Sequence, residues 1–254
     1  MAIQEEYEKQ GWGLYKYGGF IPAFFLMLGY VFLLKLEGYP QNFLFQEWRS
    51  EEFYEGLCLL FSLLGFLINA YTAGYTPSKT SFRNDNWKVP ATFQTKGLYS
   101  IMRHPLYLGK FVMWMGPALI TGKVWFIISY WLFCWLYFER VMFAEEKFMR
   151  SKFGHKYNRW SETVPAFIPN ILLFKKPRSS FQFKEVFRQE KSSLVPIFLS
   201  FFIFDAISEM IDEKPEFNYF ILTMLLTAIT LYLCIEALEK FTVLLETDGS
   251  EHRH

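Results

Sequence analysis

The residues best suited to chemistry stand in and after one short stretch, Thr95 to Gly109, which reads TKGLYSIMRHPLYLG. It contains Arg103 and His104, and a pair of carboxylates, Glu145 and Glu146, follows the next apolar hairpin. Such side chains can bind a zwitterion and exchange protons. Because all of them lie where apolar segments meet polar ones, where ionisable groups are costly, we interpret them as a functional site.

The composition indicates the class of protein. Of 254 residues, 52% are hydrophobic, 21% are aromatic and only 20% are charged, and the apolar residues fall into long blocks. We therefore predict an all-α polytopic membrane bundle. We expect membrane lipid, and no nucleic acid, as a partner.

The apolar blocks predict about six transmembrane helices. These segments are Tyr17 to Leu34, Gly56 to Ala73, Pro105 to Thr121, Val124 to Phe138, Leu194 to Ile211 and Phe217 to Ile235. The fourth should continue as an amphipathic arm to Phe153, with Gly154 as its stop. The loop between the second and third segments has no helical or strand period.

The distribution of Lys and Arg predicts the orientation. Residues 72–106 contain five and residues 144–193 contain eleven, whereas residues 37–53, 122–123 and 212–218 contain one each. Cytoplasmic loops are enriched in these residues. We expect both termini, the Arg-His stretch and the Glu pair on the cytoplasmic side.

The start of the third segment suits an anionic group. Pro105 can begin a helix whose first amides are free, and such an end attracts a carboxylate or phosphate. With Glu145 and Glu146 nearby, the site would suit a cofactor that has an amino-acid zwitterion and a cationic centre. Arg103 could instead bind lipid phosphate, and Arg140 must be neutralised by Glu139 or by lipid phosphate.

Other features point away from metals and from secretion. Cys58, Cys134 and Cys234 lie in apolar blocks, and no spacing resembles a metal site, so we expect none. The polar first residues predict no cleavable signal peptide.

Three acidic residues lie in or just after the fifth segment. Asp205 should pair with a cation or line a cavity, whereas Glu209 and Asp212 should be interfacial.

An ordered set of motifs resembles the isoprenylcysteine carboxyl methyltransferase superfamily, which includes phospholipid methyltransferases. Between Thr95 and Pro169, the family pattern G-x-Y-x-x-x-RHP-x-Y-x-G, a hairpin, E-E, F-G-x-x-Y and V-P-x-x-x-P is matched by Gly97, Tyr99, Arg103, His104, Pro105, Tyr107, Gly109, Glu145, Glu146, Phe153, Gly154, Tyr157, Val164, Pro165 and Pro169.

The resemblance implies an S-adenosyl-L-methionine-dependent enzyme that methylates a lipid or lipid-linked carboxylate, phosphate or amine. It implies a cytoplasmic cofactor pocket in the helical bundle, lined by Arg103, His104, Pro105, Tyr107, Gly109, Glu145 and Glu146. The candidate catalytic residues are His104, which could deprotonate an amine acceptor, and Arg140. The family places an acceptor-orienting Arg where this chain has Val141, and Arg140 is offset from that position by about 100° on a helix.

Two alternatives remain beside this interpretation. Sterol-type NADPH reductases have a similar RHP-x-Y-x-G stretch, but Leu106 and Lys110 differ from the Asn and acid usual there. A non-catalytic membrane scaffold is the other alternative.

The chain divides into residues 1–94, a core of residues 95–170, and residues 171–254. The short core and extra helices favour a bacterial inner-membrane enzyme.

Overall fold

The computed structural model describes residues 3–17, 20–37, 51–76, 83–84, 87–88, 93–209 and 219–241. These residues form the α-helices α1 Ile3–Tyr17, α2 Phe20–Glu37, α3 Glu51–Gly74, α4 Pro105–Leu119, α5 Val124–Phe153, α6 His155–Thr163, α7 Phe183–Glu190, α8 Leu194–Glu209 and α9 Tyr219–Phe241. Two short strands, β1 Arg83–Asn84 and β2 Trp87–Lys88, pair antiparallel in the predicted loop.

Helices α2, α3, α4, α5, α8 and α9 occupy the six predicted apolar segments. In the described part of the chain, Phe53–Gly74, Val124–Phe153 and Tyr219–Leu238 are long and apolar enough to cross a membrane. Helices α1 and α2, inclined by 78°, add a fourth span if counted together. The helical membrane fold is confirmed, whereas the count of six spans, the orientation and the domain boundaries stay predictions.

Helix α5 extends beyond the membrane as predicted. Its 30 residues correspond to about 45 Å at 1.5 Å per residue, which exceeds the hydrocarbon thickness of about 30 Å. Gly154, with φ of 52°, ends it. Such a positive φ is accessible to glycine at little cost, which explains the stop at this position. We refer to residues 139–153 as the α5 arm.

Helices α3 and α4 approach so closely that only small residues fit between them. A Cβ atom on Gly65 would lie 2.4 Å from the backbone nitrogen of Met113, and one on Gly116 would lie 1.9 Å from Ser62 Oγ. Small residues permit such contacts in membranes, where helices associate through packing and hydrogen bonds. This contact positions the beginning of α4, and hence the Arg-His stretch, relative to α3.

One hydrogen bond across this interface satisfies a carbonyl group that a proline would leave without a donor. Pro117 lies inside α4 and has no N–H group for the carbonyl of Met113. Ser62 Oγ, which is fully buried, donates to that carbonyl oxygen at 2.9 Å. The proline is therefore tolerated because the neighbouring helix supplies the missing donor.

Helices α1 and α2 both pack on α5. The hydroxyl of Tyr130 donates to the carbonyl of Pro22 at 3.1 Å, and that of Tyr137 donates to the carbonyl of Leu14 at 3.2 Å. The sequence did not predict helix α1, because its polar, acidic composition has no apolar block. Its helical structure depends on this contact with α5.

Helices α6 and α7 were also not predicted, since they lie in a basic segment that was interpreted only as a connection. Helix α7 packs against α3, and Lys110 on α4 is an electrostatic neighbour of its buried Glu190. Asp205 is buried, at 5% exposure. Its pairing with a cation, or its place at a cavity, stays a prediction. Asp212 and the side chain of Glu209 lie outside the described residues.

We predict that Ser62→Ala lowers the free energy of unfolding by about 1 kcal/mol, because the Met113 carbonyl loses its buried donor. The matched control is Ser129→Ala, because within the described part of the chain the exposed Ser129 hydroxyl bonds to the Trp125 carbonyl of its own helix. Unfolding in mixed detergent micelles measures both variants. Equal stability of the two variants would contradict the role assigned to Ser62.

Candidate functional site

The α5 arm and the start of α4 bring the predicted charged residues into one cluster. Arg103 Nη1 lies 2.8 Å from Glu146 Oε1, and His104 Nε2 lies 3.2 Å from the same oxygen. His104 Nδ1 lies 3.5 Å from Glu145 Oε2. We call Arg103, His104, Glu145 and Glu146 the charged cluster. Both nitrogens of one imidazole thus face the two neighbouring carboxylates.

The two carboxylates determine the charge of His104. Burial, which leaves only 5% of it exposed, by itself lowers the pKa of this imidazole. The hydrogen bonds and charges of Glu145 and Glu146 act in the opposite direction and outweigh burial, so the pKa of His104 is raised. The side chain is therefore favoured as an imidazolium that donates from both nitrogens.

Three tyrosine side chains interact with Glu145. Tyr107 is its hydrogen-bond partner, and Tyr15 and Tyr99 are its electrostatic neighbours. Burial first, and then the charge of Glu145, raises the pKa of Tyr99, so that its phenol stays protonated at neutral pH. A carboxylate among phenols and an imidazolium can accept several charge-assisted hydrogen bonds.

The segment that follows α6 holds the backbone of the Arg-His stretch in place. The amide of Arg103 donates to the carbonyl of Pro165 at 2.8 Å, and that of His104 donates to the carbonyl of Ala166 at 3.2 Å. These bonds give a physical reason why the V-P-x-x-x-P motif accompanies the RHP motif in the sequence. Phe167 then packs on Phe111 of α4, with ring centroids 5.7 Å apart.

A cavity of about 670 Å³ opens beside Arg103. Its lining is mixed: it combines the polar side chains of Ser161, Glu162, Thr163 and Asn170 with the apolar Val164, Pro165, Ile168, Pro169 and Ile171. The adjacent α4 begins at the buried Pro105, which has no amide hydrogen to satisfy. The cavity therefore offers one cation of the charged cluster together with polar and apolar side chains, which suits a ligand with both kinds of group.

Gly109 is placed by the structure at the α3–α4 contact. A Cβ atom at this position would lie 2.1 Å from Asn69 Oδ1 of α3. The requirement for glycine here thus has a packing explanation. Its predicted role in cofactor binding stays a prediction.

Arg140 has its described contacts away from the charged cluster. Its guanidinium lies over the Tyr7 ring of α1, 3.5 Å from the ring centroid, and 3.7 Å from Glu139 Oε2. The pairing with Glu139 was one of the two neutralising partners expected from the sequence. Val141, at the position where the family has its Arg, is buried with 2% exposure. The catalytic role predicted for Arg140 stays a prediction.

Two further residues join the site without having been predicted. Arg150 Nη2 lies 3.3 Å from Glu146 Oε2. Its i,i+4 spacing from Glu146 on a predicted helix was a signal that could have identified it. Tyr15 approaches Glu145 from α1, and no local pattern in the sequence indicated this approach.

The donor and acceptor groups fit an amino-acid-bearing cationic cofactor. Arg103 Nε is buried and has no hydrogen-bond partner among the described residues, so one more donor is available for a carboxylate. Glu145, with 30% of its side chain exposed, can attract an ammonium or other cation. No group of three potential metal ligands occurs in the part of the chain that the structure describes.

The fold and the site define a class, an all-helical membrane protein with a charged cluster between a helix start and a helix arm. The chain is also similar to known methyltransferases. Residues 56–156 match the family model for phospholipid methyltransferase. The resemblance to this superfamily that the sequence motifs indicated is thereby confirmed.

Curated relatives carry related names. Protein-S-isoprenylcysteine O-methyltransferase of Schizosaccharomyces pombe is 32% identical over 77 residues, 30% of this chain and 33% of the relative. A probable enzyme of that name from Oryza sativa subsp. indica is 27% identical over 139 residues, 54% of this chain and 72% of the relative. Methanethiol S-methyltransferase of Crocosphaera subtropica is 30% identical over 107 residues, 42% and 40% of the two chains.

These similarities have limited extent. The chain spans 33% of the length of the yeast relative and 29% of that of the Tribolium castaneum protein of the same name. No solved structure matches the chain. The region matched by the family model nevertheless includes the charged cluster, because residues 56–156 contain all four of its members.

We predict that the charged cluster makes stability depend on pH. A raised folded-state pKa means that the contribution of His104 is fully present below its unfolded value of about 6.5 and is lost as pH rises through the folded value. Thermal midpoints in detergent from about pH 6 to about pH 9 should therefore fall less for His104→Gln than for the parent protein. Parallel pH profiles for the two proteins would contradict the charged state of His104.

Proposed function

We propose that this protein is an S-adenosyl-L-methionine-dependent methyltransferase that modifies a lipid or lipid-linked acceptor at the cytoplasmic membrane face. The observation that carries the proposal is the meeting of Arg103, His104, Glu145 and Glu146 in one cluster, within the region similar to phospholipid methyltransferases. A scaffold that had lost its activity would have no need to keep these charges buried together.

The groups of the cluster are suited to hold the methyl donor. S-adenosyl-L-methionine would supply a methyl group on a sulfonium centre, together with an amino-acid carboxylate and ammonium. Arg103, with its additional free Nε donor, would bind the carboxylate, and Glu145 would attract the positive charge. His104 would hold both glutamates in their orientation, so that the site is arranged before the donor arrives.

The charge state of His104 bears on the acceptor. The raised pKa of His104 favours its protonated form, in which the imidazole has no lone pair to take a proton from an amine. A carboxylate or phosphate acceptor needs no base, and this favours an anionic lipid-linked acceptor. For an amine, Glu145 is the better candidate base. The apolar wall of the cavity beside Arg103, with Ile168, would contact the lipid part.

The location of the protein follows from the same proposal. The loops on the side of the charged cluster have most of the Lys and Arg, which favours a cytoplasmic site and cytoplasmic termini. The bacterial inner membrane is the compartment proposed. A cytoplasmic site would have direct access to a water-soluble methyl donor, while the acceptor stays in the bilayer.

We predict that Glu146→Gln weakens S-adenosylmethionine binding more than tenfold, because Arg103 and His104 lose their shared anionic partner. His104→Ala should abolish binding. Glu139→Gln, on the same helix two turns earlier and exposed, is the matched control and should bind normally. Calorimetry with the purified protein in detergent measures all three affinities.

The same experiment distinguishes the alternative functions. Binding of S-adenosylmethionine and S-adenosylhomocysteine, but not of NADPH, supports methyl transfer, and a labelled-methyl assay over lipid extracts would then identify the acceptor. Binding of NADPH alone would replace methyl transfer with reduction. Normal affinity of both cluster variants for the methyl donor would refute the site assignment.

A further inference from the structure

Helix α1 lies outside the region similar to phospholipid methyltransferases and packs on the α5 arm. The aromatic rings of Tyr7 and Phe143 meet edge to face with centroids 6.0 Å apart, and those of Trp12 and Phe148 do so at 6.2 Å. These contacts lie on the part of α5 that has the two glutamates of the charged cluster. The helix is therefore docked against the site itself.

The fit between α1 and the arm is close and specific. A Cβ atom on Gly11 would lie 2.2 Å from the carbonyl oxygen of Arg140 and 2.7 Å from Ala144 Cβ, so a larger residue would force the helices apart. An ion pair between Glu8 of α1 and Lys147 of α5 joins the two helices at the same interface. Packing and charge together hold α1 in one register.

This docking brings one phenol to the charged cluster. Tyr15 lies near the C-terminal end of α1 and is an electrostatic neighbour of both Glu145 and Tyr107. We propose that α1 forms a wall of the methyl-donor site and that Tyr15 is a positioning residue that orients the Glu145 carboxylate. This inference rests on the proposed function, which it deepens.

The physical argument concerns the freedom of Glu145. Unlike Glu146, which is held by Arg103, His104 and Arg150, the Glu145 carboxylate has a longer contact of 3.5 Å to His104 and is more exposed. A hydrogen bond or a dipole contact from a phenol can fix the orientation of such a carboxylate. A carboxylate fixed in advance binds a cation with less loss of conformational entropy. The docked α1 would thus increase the affinity for the methyl donor, although α1 lies outside the region similar to phospholipid methyltransferases.

The test separates α1 docking from general stability. Glu8→Lys places two cations together, and Lys147→Glu places two anions together, so each single change should displace α1. We expect each to weaken S-adenosylhomocysteine binding about fivefold. The double variant Glu8→Lys with Lys147→Glu restores opposite charges and should restore affinity.

A second ion pair provides the matched control. Lys191 Nζ and Glu236 Oε2 lie 2.6 Å apart and join the C-terminal end of α7 to α9, away from the charged cluster. The same single reversals there should lower the thermal midpoint and leave the affinity for S-adenosylhomocysteine unchanged. Tyr15→Phe, which keeps the ring and removes the hydroxyl, should weaken binding about tenfold while preserving the thermal midpoint.

The outcomes distinguish the two proposals. If the parent protein binds S-adenosylhomocysteine and all α1 variants bind equally well, the role of α1 is refuted and the proposed function stands. Lower thermal midpoints with unchanged affinities would assign α1 a purely structural role and refute the inference as well. If the parent protein does not bind S-adenosylhomocysteine in lipid nanodiscs, the proposed function is refuted and the inference with it.

Discussion

The hydrogen-bonded contact of His104 with two carboxylates is the interaction on which the rest of the site depends. It joins the start of α4 to the α5 arm, and it does so with charges that are largely buried. Removal of one partner from such a cluster leaves another charge without compensation, which costs about 3–5 kcal/mol in buried pairs. Arg103 on one side and the phenols around Glu145 on the other complete the compensation. The cluster therefore has a defined geometry before any ligand is present.

Two helix contacts bring the partners of this interaction together. The glycine-lined contact between α3 and α4 sets the position of His104, because a Cβ atom at Gly65 or Gly109 would collide with the opposite helix. The long α5 sets the position of the glutamates, because it continues past the membrane thickness before Gly154 ends it. The segment from Val164 then fixes the Arg-His backbone by direct hydrogen bonds. Motifs that are distant in the sequence thus act as one site.

The sequence predicted the parts of this arrangement that depend on local patterns. Apolar blocks indicated the helices that span or approach the membrane, and the α5 arm with its glycine stop was predicted to the residue. The charged cluster was predicted from its motifs, which a family comparison supports. The approach of Tyr15 depends on tertiary packing of a polar helix, which no local periodicity indicates. The contact of Arg140 with the Tyr7 ring depends on the same packing. The contacts that α1 makes with the α5 arm were therefore inaccessible to sequence reasoning.

The most direct test of the central claim is an experimental structure of the protein in lipid nanodiscs with S-adenosylhomocysteine. The account predicts that the amino-acid part of this ligand contacts Arg103 and Glu145, with the adenosine in or beside the cavity near Val164. Its position there would establish the charged cluster as the donor site. A ligand bound elsewhere, with the contacts among His104, Glu145 and Glu146 unchanged and closed to it, would contradict the account.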